Sequence, residues 1–89
     1  MKSIFWTNQF KKDFKRAKAQ GKDIAALREI ITKLAAGEKL SPHLKDHPLH
    51  GDWNSFRDCH IKPDWVLIYR ITADSLTLTR LGSHSELFR

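Results

Sequence analysis

Apolar positions recur along this chain in two periods. Ser3–Trp6 is a short apolar piece ending at Thr7-Asn8, residue types that favour helix N-caps. Phe10, Phe14 and Ala17 come next at i, i+4 and i+7, with Lys11, Lys12, Lys15, Arg16 and Lys18 between them. That spacing predicts an amphipathic helix, and Gly21 stops it. Asp23 is placed to cap a second helix whose stripe is Ile24, Leu27, Ile30/Ile31 and Leu34, ending at Gly37. Helices joined by so few residues form an antiparallel hairpin. Residues 38–52 carry Pro42, Pro48 and Gly51 without an apolar period and read as a surface loop. The period then changes to two. Trp53–Ile61 is a strand, Lys62-Pro63-Asp64 a turn, and Trp65–Ile71 a buried central strand. Ala73-Asp74-Ser75 turns the chain into a last strand over Leu76–Leu81, and Gly82–Arg89 has room for one helical turn. The order predicts an α+β fold: a short N-terminal strand, then a helix hairpin packed on one face of an antiparallel sheet, the other face open.

Length and composition narrow the class. Eighty-nine residues give one domain over 1–89. An apolar content of 40% with three Trp and five Phe argues for a folded chain. Cys59 is the only cysteine, which excludes a disulfide framework and a Cys-rich zinc site. The longest apolar run, Trp65–Tyr69, is too short to span a bilayer, and Met1–Phe10 lacks the apolar core of a signal peptide. A cytoplasmic protein is expected, with no membrane partner.

Charge changes the picture more. The net charge is +6, and it is uneven: residues 1–45 hold 11 Lys/Arg against 4 Asp/Glu, residues 46–89 hold 5 against 6. The first part is a basic surface suited to nucleic acid or an acidic protein. Four of the five histidines, all but His43, fall in the second part.

His43, His47, His50, His60, Asp64, Arg80 and His84 are the residues that could carry chemistry. His43 and His47 have the i, i+4 spacing of a zinc pair on a helix, but Pro42 and Pro48 bracket them, and no carboxylate pair, Cys cluster or helix-borne His pair offers a metal cage. Cys59 and His60 are adjacent on a strand, so they point to opposite faces and cannot form a nucleophile–base pair. Acid/base work remains. Cleavage of RNA by its own 2′-hydroxyl needs a base, an acid and a fixed cation. His serves as acid or base near neutrality, and Arg grips phosphate. Arg80 shares an alternation face with Leu76 and Leu78, where a charge must be paired or at the rim. Trp65 and Phe88 are candidates for stacking on bases, Trp65 having the core as its alternative.

Lys45-Asp46-His47-Pro48-Leu49-His50-Gly51, Trp53, Phe56-Arg57-Asp58, His60, Pro63-Asp64-Trp65, Leu67-Ile68-Tyr69 and Arg80-Leu81-Gly82-Ser83-His84-Ser85-Glu86-Leu87-Phe88 resemble the YafQ toxin branch of the RelE superfamily. The resemblance runs in register across nearly the whole chain. It implies a RelE-like, microbial-ribonuclease-like fold and a type II toxin that cuts mRNA in the ribosomal A site with no metal or other cofactor. It also implies a cognate antitoxin, acidic and DNA-binding, which together with the toxin represses their operon, so that operator DNA is met only through that complex. By the same resemblance His47, His60, Asp64 and His84 are catalytic, with His84 the proton donor and the acceptor open among the other three. Arg80 stabilises phosphate, and Trp65 and Phe88 shape the RNA site. Lys11, Lys12, Lys15 and Arg16, on the polar face of the first helix, are expected to contact RNA backbone. Two other readings stand beside this one: a non-catalytic toxin of related fold that blocks a target such as a topoisomerase by contact, and a structural RNA-binding protein with surface histidines.

Overall fold

Thr7 and Asp23 open the two helices as their types predict. Thr7 Oγ1 accepts from Phe10 N at 3.0 Å, and Asp23 Oδ1 from Ala26 N at 3.1 Å. In the computed structural model, which describes residues 1–88, α1 runs over Asn8–Ala19 and α2 over Ile24–Ala35. Both end in the same motif: Gly21 and Gly37 take φ values of 74° and 76°, and the next residue bonds back, Lys22 N to Ala17 O and Glu38 N to Lys33 O. A left-handed residue there satisfies carbonyls the helix leaves orphaned, and glycine adopts it without strain.

The strands are β1 (Ser3–Trp6), β2 (His47–Pro48), β3 (Arg57–Lys62), β4 (Trp65–Ile71) and β5 (Ser75–Gly82), in spatial order β1-β5-β4-β3-β2. β3, β4 and β5 form the expected meander. The sheet is mixed rather than antiparallel, because β1 pairs parallel with β5, Ser3 opposite Ser75 through Trp6 opposite Leu78. The expected strand over Trp53–Ile61 starts only at Arg57. A single turn of 3-10 helix over Gly51–Trp53 and a φ of 82° at Ser55 keep the preceding residues out of the sheet. The loop before it contributes the two-residue β2. A last single turn, α3 (His84–Leu87), closes the chain.

Phe10, Ala17, Leu27, Ile30 and Leu34 of the helices pack on Cys59, Trp65, Leu67, Tyr69, Leu76, Leu78 and Leu81 of the sheet. Phe10 and Leu27 are fully buried; each such side chain contributes about 1.5–3 kcal/mol. The opposite face is not bare. Val66, Ile68 and Leu87 form a second, smaller core with Leu49, Trp53 and Phe56 against it.

A bulge resolves the puzzle of Arg80. Ile68 pairs with Arg80 but Tyr69 pairs with Leu78, so Thr79 is an extra residue in β5. The alternation resets there. Leu76, Leu78 and Leu81 face the helices, and Arg80 stands beside Ile68 on the other face, not on the Leu76/Leu78 face that simple alternation gives it.

Candidate active site

The pairing places two rows of side chains on the sheet face away from the helices. One row is His47, Asp58, Ile68, Arg80; the next is His60, Val66, Gly82. Gly82 lets α3 lie close over the sheet: a Cβ there would meet Glu86 Oε1 at 3.0 Å and Leu87 Cδ2 at 3.4 Å. The close approach brings α3, and with it His84, down onto the second row. Ser83 and Glu86 fix the turn reciprocally, Ser83 Oγ accepting from Glu86 N and Glu86 Oε1 accepting from Ser83 N.

Three histidines from three elements converge. The His60 ring centroid is 6.4 Å from that of His47 and 5.0 Å from that of His84. Each outer histidine has its own carboxylate. Asp64, in the β3–β4 turn, accepts from the backbone N of His84 at 3.1 Å and lies 2.8 Å from its Nδ1. Those His84 hydrogen bonds hold the Asp64 carboxyl below its ordinary range. An ionised carboxylate only accepts, so Nδ1 carries the hydrogen in that contact and Nε2 is left to exchange a proton. His47 Nε2 lies 2.8 Å from Asp58 Oδ1, while its Nδ1 is 3.1 Å from the Pro48 carbonyl oxygen.

Asp58 was missed by the sequence reading. It is only 3% exposed. Burial pushes its carboxyl above the ordinary range, against the pull of His47, His60 and His84. Its contact with His47 is close but not aligned as a hydrogen bond, so Oδ1 is a buried oxygen without a hydrogen-bond partner among the described residues. His47, Asp58 and His60 bring ligating atoms within 4.8 Å of one another. The sequence offers no carboxylate pair, Cys cluster or helix-borne His pair for a metal; the pairing of β2 with β3 nevertheless brings together His47, Asp58 and His60, a group that could hold an ion and that no local spacing reveals. Burial holds His60 below the ordinary imidazole pKa, against the raising effect of Asp58, so it is neutral at pH 7 and able to accept a proton.

Arg80 is in the Asp58 row, two strands away, or roughly 10 Å at ordinary strand spacing. Its Nε donates to Asp13 Oδ2 at 2.9 Å. Asp13 was also missed. It lies on α1, 1% exposed, and its Oδ2 also accepts from Leu81 N at 3.0 Å, on the stretch of β5 beyond its pairing with β1. Burial raises the Asp13 pKa, but the bonds from Arg80, Leu81 and Gln9 outweigh that and hold it low. The fixed cation is thus present and oriented by a buried carboxylate.

The remaining expectations divide. Phe88 is 37% exposed and flanks the site, its ring 6.0 Å from His84 and 6.3 Å from Trp53. Trp65 does not: it is 3% exposed and packs in the core on the helix side, since residues 65, 67 and 69 of β4 all point there. No base can stack on it. Cys59 is fully buried on that same side, and burial pushes its thiol up to about 12, which agrees with a structural role. Lys11, Lys12 and Lys15 are exposed on α1. Arg16 is partly committed, with Nη2 3.3 Å from both Asp13 Oδ1 and Glu86 Oε2. His43 and His50 stay outside the row; His43 Nδ1 is 2.7 Å from Ser41 Oγ. A recess of about 460 Å³ opens beside His60, lined by His43, Leu44, Lys45, Ile61, Lys62 and Pro63. No helix among the described residues is long and apolar enough to cross a membrane.

Comparison with known proteins finds relatives that share this fold. The mRNA interferase toxin YafQ of Escherichia coli strain K12 is 40% identical over 88 residues, covering 98% of this chain and 96% of that one. The crystal structure of the E. coli DinJ–YafQ toxin–antitoxin complex matches with TM-score 0.92 and 39% identity, covering 99% of this chain and 98% of that one. A copper-bound mutant toxin from Helicobacter pylori matches with TM-score 0.95 and 46% identity, covering 99% of this chain and 100% of that one. The family described as the bacterial toxin of type II toxin–antitoxin system, YafQ, matches residues 2–89. This chain belongs to the YafQ family of type II toxin–antitoxin toxins.

Proposed function

We propose that the chain is an mRNA interferase, an endoribonuclease that cuts message in the ribosomal A site by acid/base catalysis. The observation that carries this reading is the convergence of His47, His60 and His84 from β2, β3 and α3, two of them backed by carboxylates. His60 accepts the proton of a 2′-hydroxyl, and the 2′-oxygen attacks the adjacent phosphorus. The bond from phosphorus to the 5′-oxygen breaks as His84 Nε2 delivers a proton to that oxygen. The products are a 2′,3′-cyclic phosphate and a 5′-hydroxyl. Held neighbours react far faster than free ones, so the protein supplies only proton transfer, orientation and charge. Asp64 orients His84, accepting from its backbone N and lying 2.8 Å from its Nδ1. His47 and Asp58 support the base side, and Arg80 stabilises the phosphorane charge. Phe88 stacks on a base beside the scissile bond. Lys45, Lys62 and His43 give the recess beside His60 a basic rim suited to backbone phosphate. Lys11, Lys12 and Lys15 add sequence-independent backbone attraction, with Arg16 the weaker contributor.

The histidine row disfavours a toxin acting by contact alone, which requires no acid/base set. The copper-bound H. pylori relative directs attention to His47, Asp58 and His60, the residues here that would hold an ion. The cleavage proposed here uses those imidazoles as proton carriers instead. The relative crystallised with DinJ supports a cognate antitoxin, which the basic first half of this chain suits if that partner is acidic. Binding operator DNA is then the antitoxin's role, and a ribosomal target places the chain in the cytoplasm.

Induced in cells, the chain should arrest growth and leave cuts within translated frames. A message whose start codon is removed should stay intact. Equal cutting of both messages would refute ribosome dependence; arrest with neither message cut would favour contact inhibition.

A further inference from the structure

We propose that Asp46, gripped by Tyr69 and Arg57, is a clamp that positions His47 from the far side of the sheet. The proposal rests on the assignment of His47 to the cleavage site. β2 is two residues long, and one of them, Pro48, has no N–H to donate to a ladder. The chain enters it through Lys45, which holds a left-handed φ of 52°. So short a strand offers little of its own to fix a catalytic side chain. What fixes it lies one residue earlier. Tyr69 OH donates to Asp46 Oδ1 at 2.5 Å, and Arg57 Nε donates to the same oxygen at 3.2 Å.

Successive strand residues point to opposite faces. Arg57 and Tyr69 are register partners on the helix side of the sheet. Asp46 held there turns His47 to the other side, opposite Asp58, where its Nε2 lies 2.8 Å from Oδ1. Tyr69 is 1% exposed, its hydroxyl is kept protonated by burial, and it is anchored in the main core. The clamp thus ties His47 to the central strand of the sheet, buried from Trp65 through Tyr69. It also accounts for Asp46, Arg57 and Tyr69, whose side chains bond to one another on the face away from the three site histidines.

The test is a double-mutant cycle in single-turnover cleavage on programmed ribosomes. Tyr69→Phe keeps the buried ring and removes one donor. It should fold as before and lower the cleavage rate about 10- to 100-fold, the scale of a misplaced catalytic group, with ribosome affinity unchanged. In a His47→Ala background the same substitution should cost nothing further. Asp46→Asn, which retains the accepting oxygen, should be milder than Asp46→Ala. A full-rate Tyr69→Phe, or an equal loss in both backgrounds, would overturn the clamp while leaving the histidine mechanism standing. A full-rate His47→Ala would remove the role of His47 and the clamp together.

Discussion

His84→Ala should cleave ribosome-bound message about 10²–10⁴-fold more slowly than the unaltered chain, the loss expected for a general acid, or roughly 3–5 kcal/mol of barrier. Folding should be intact. The imidazole is 46% exposed and belongs to neither core. α3 keeps its Ser83–Glu86 cap, and the bond from the His84 backbone N to Asp64 survives the substitution. The rate loss therefore reports chemistry. Asp64→Asn should be milder than His84→Ala, because Asn can still accept from Nδ1 while the charge is lost. Single-turnover rates beside thermal melts check both. If His84→Ala cuts at full rate, or if it loses activity only by unfolding, His84 is not the acid.

Asp13→Ala should destabilise the chain by about 2–4 kcal/mol, near the range for removing one partner of a buried ion pair. A melting point more than about 10 °C lower is expected for a domain of this size. The carboxylate serves four donors: Gln9 Nε2, Arg16 Nη2, Arg80 and the Leu81 N–H. Removing it strands the Leu81 N–H, releases Arg80 and leaves a void between α1 and β5. The pH dependence has a definite sign. The folded pKa of Asp13 lies below its ordinary value. The stability it contributes is therefore complete above about pH 4 and lost as pH falls further. Asp13→Asn should be less stable at neutral pH and flatten the acid limb of the stability curve. Unfolding by denaturant between pH 2 and pH 7 measures this; superimposable curves would mean Asp13 is not the structural anchor.

The partners of the two buried carboxylates were hidden in the sequence, for one physical reason. Asp13 falls within the apolar stripe of α1, three residues after Phe10 and four before Ala17, so the helical period marks its burial but not what pairs with it. Its partners Arg80 and Leu81 are 67 and 68 residues away. Asp58 meets His47 only because β2 pairs with β3. Local periodicity carries the helices, their caps and the meander, since Thr7, Asp23, Gly21 and Gly37 act on neighbours. It carries the strand over Ser3–Trp6 but not its parallel pairing with β5, nor the extra residue at Thr79 that sends Arg80 to the other face. Trp65 was ambiguous for a related reason: β4 is buried on both faces, so composition cannot say which face leads to the site. The histidines were legible as a set because their number in a short stretch has no core explanation. Their distances were not.

The most direct measurement is the chemistry of the cut ends. Message cleaved on programmed ribosomes at fixed Mg²⁺ should carry a 2′,3′-cyclic phosphate on the upstream fragment and a 5′-hydroxyl on the downstream one. A 3′-hydroxyl with a 5′-phosphate would require water as the nucleophile, contradict 2′-hydroxyl attack, and turn attention to an ion on His47, Asp58 and His60.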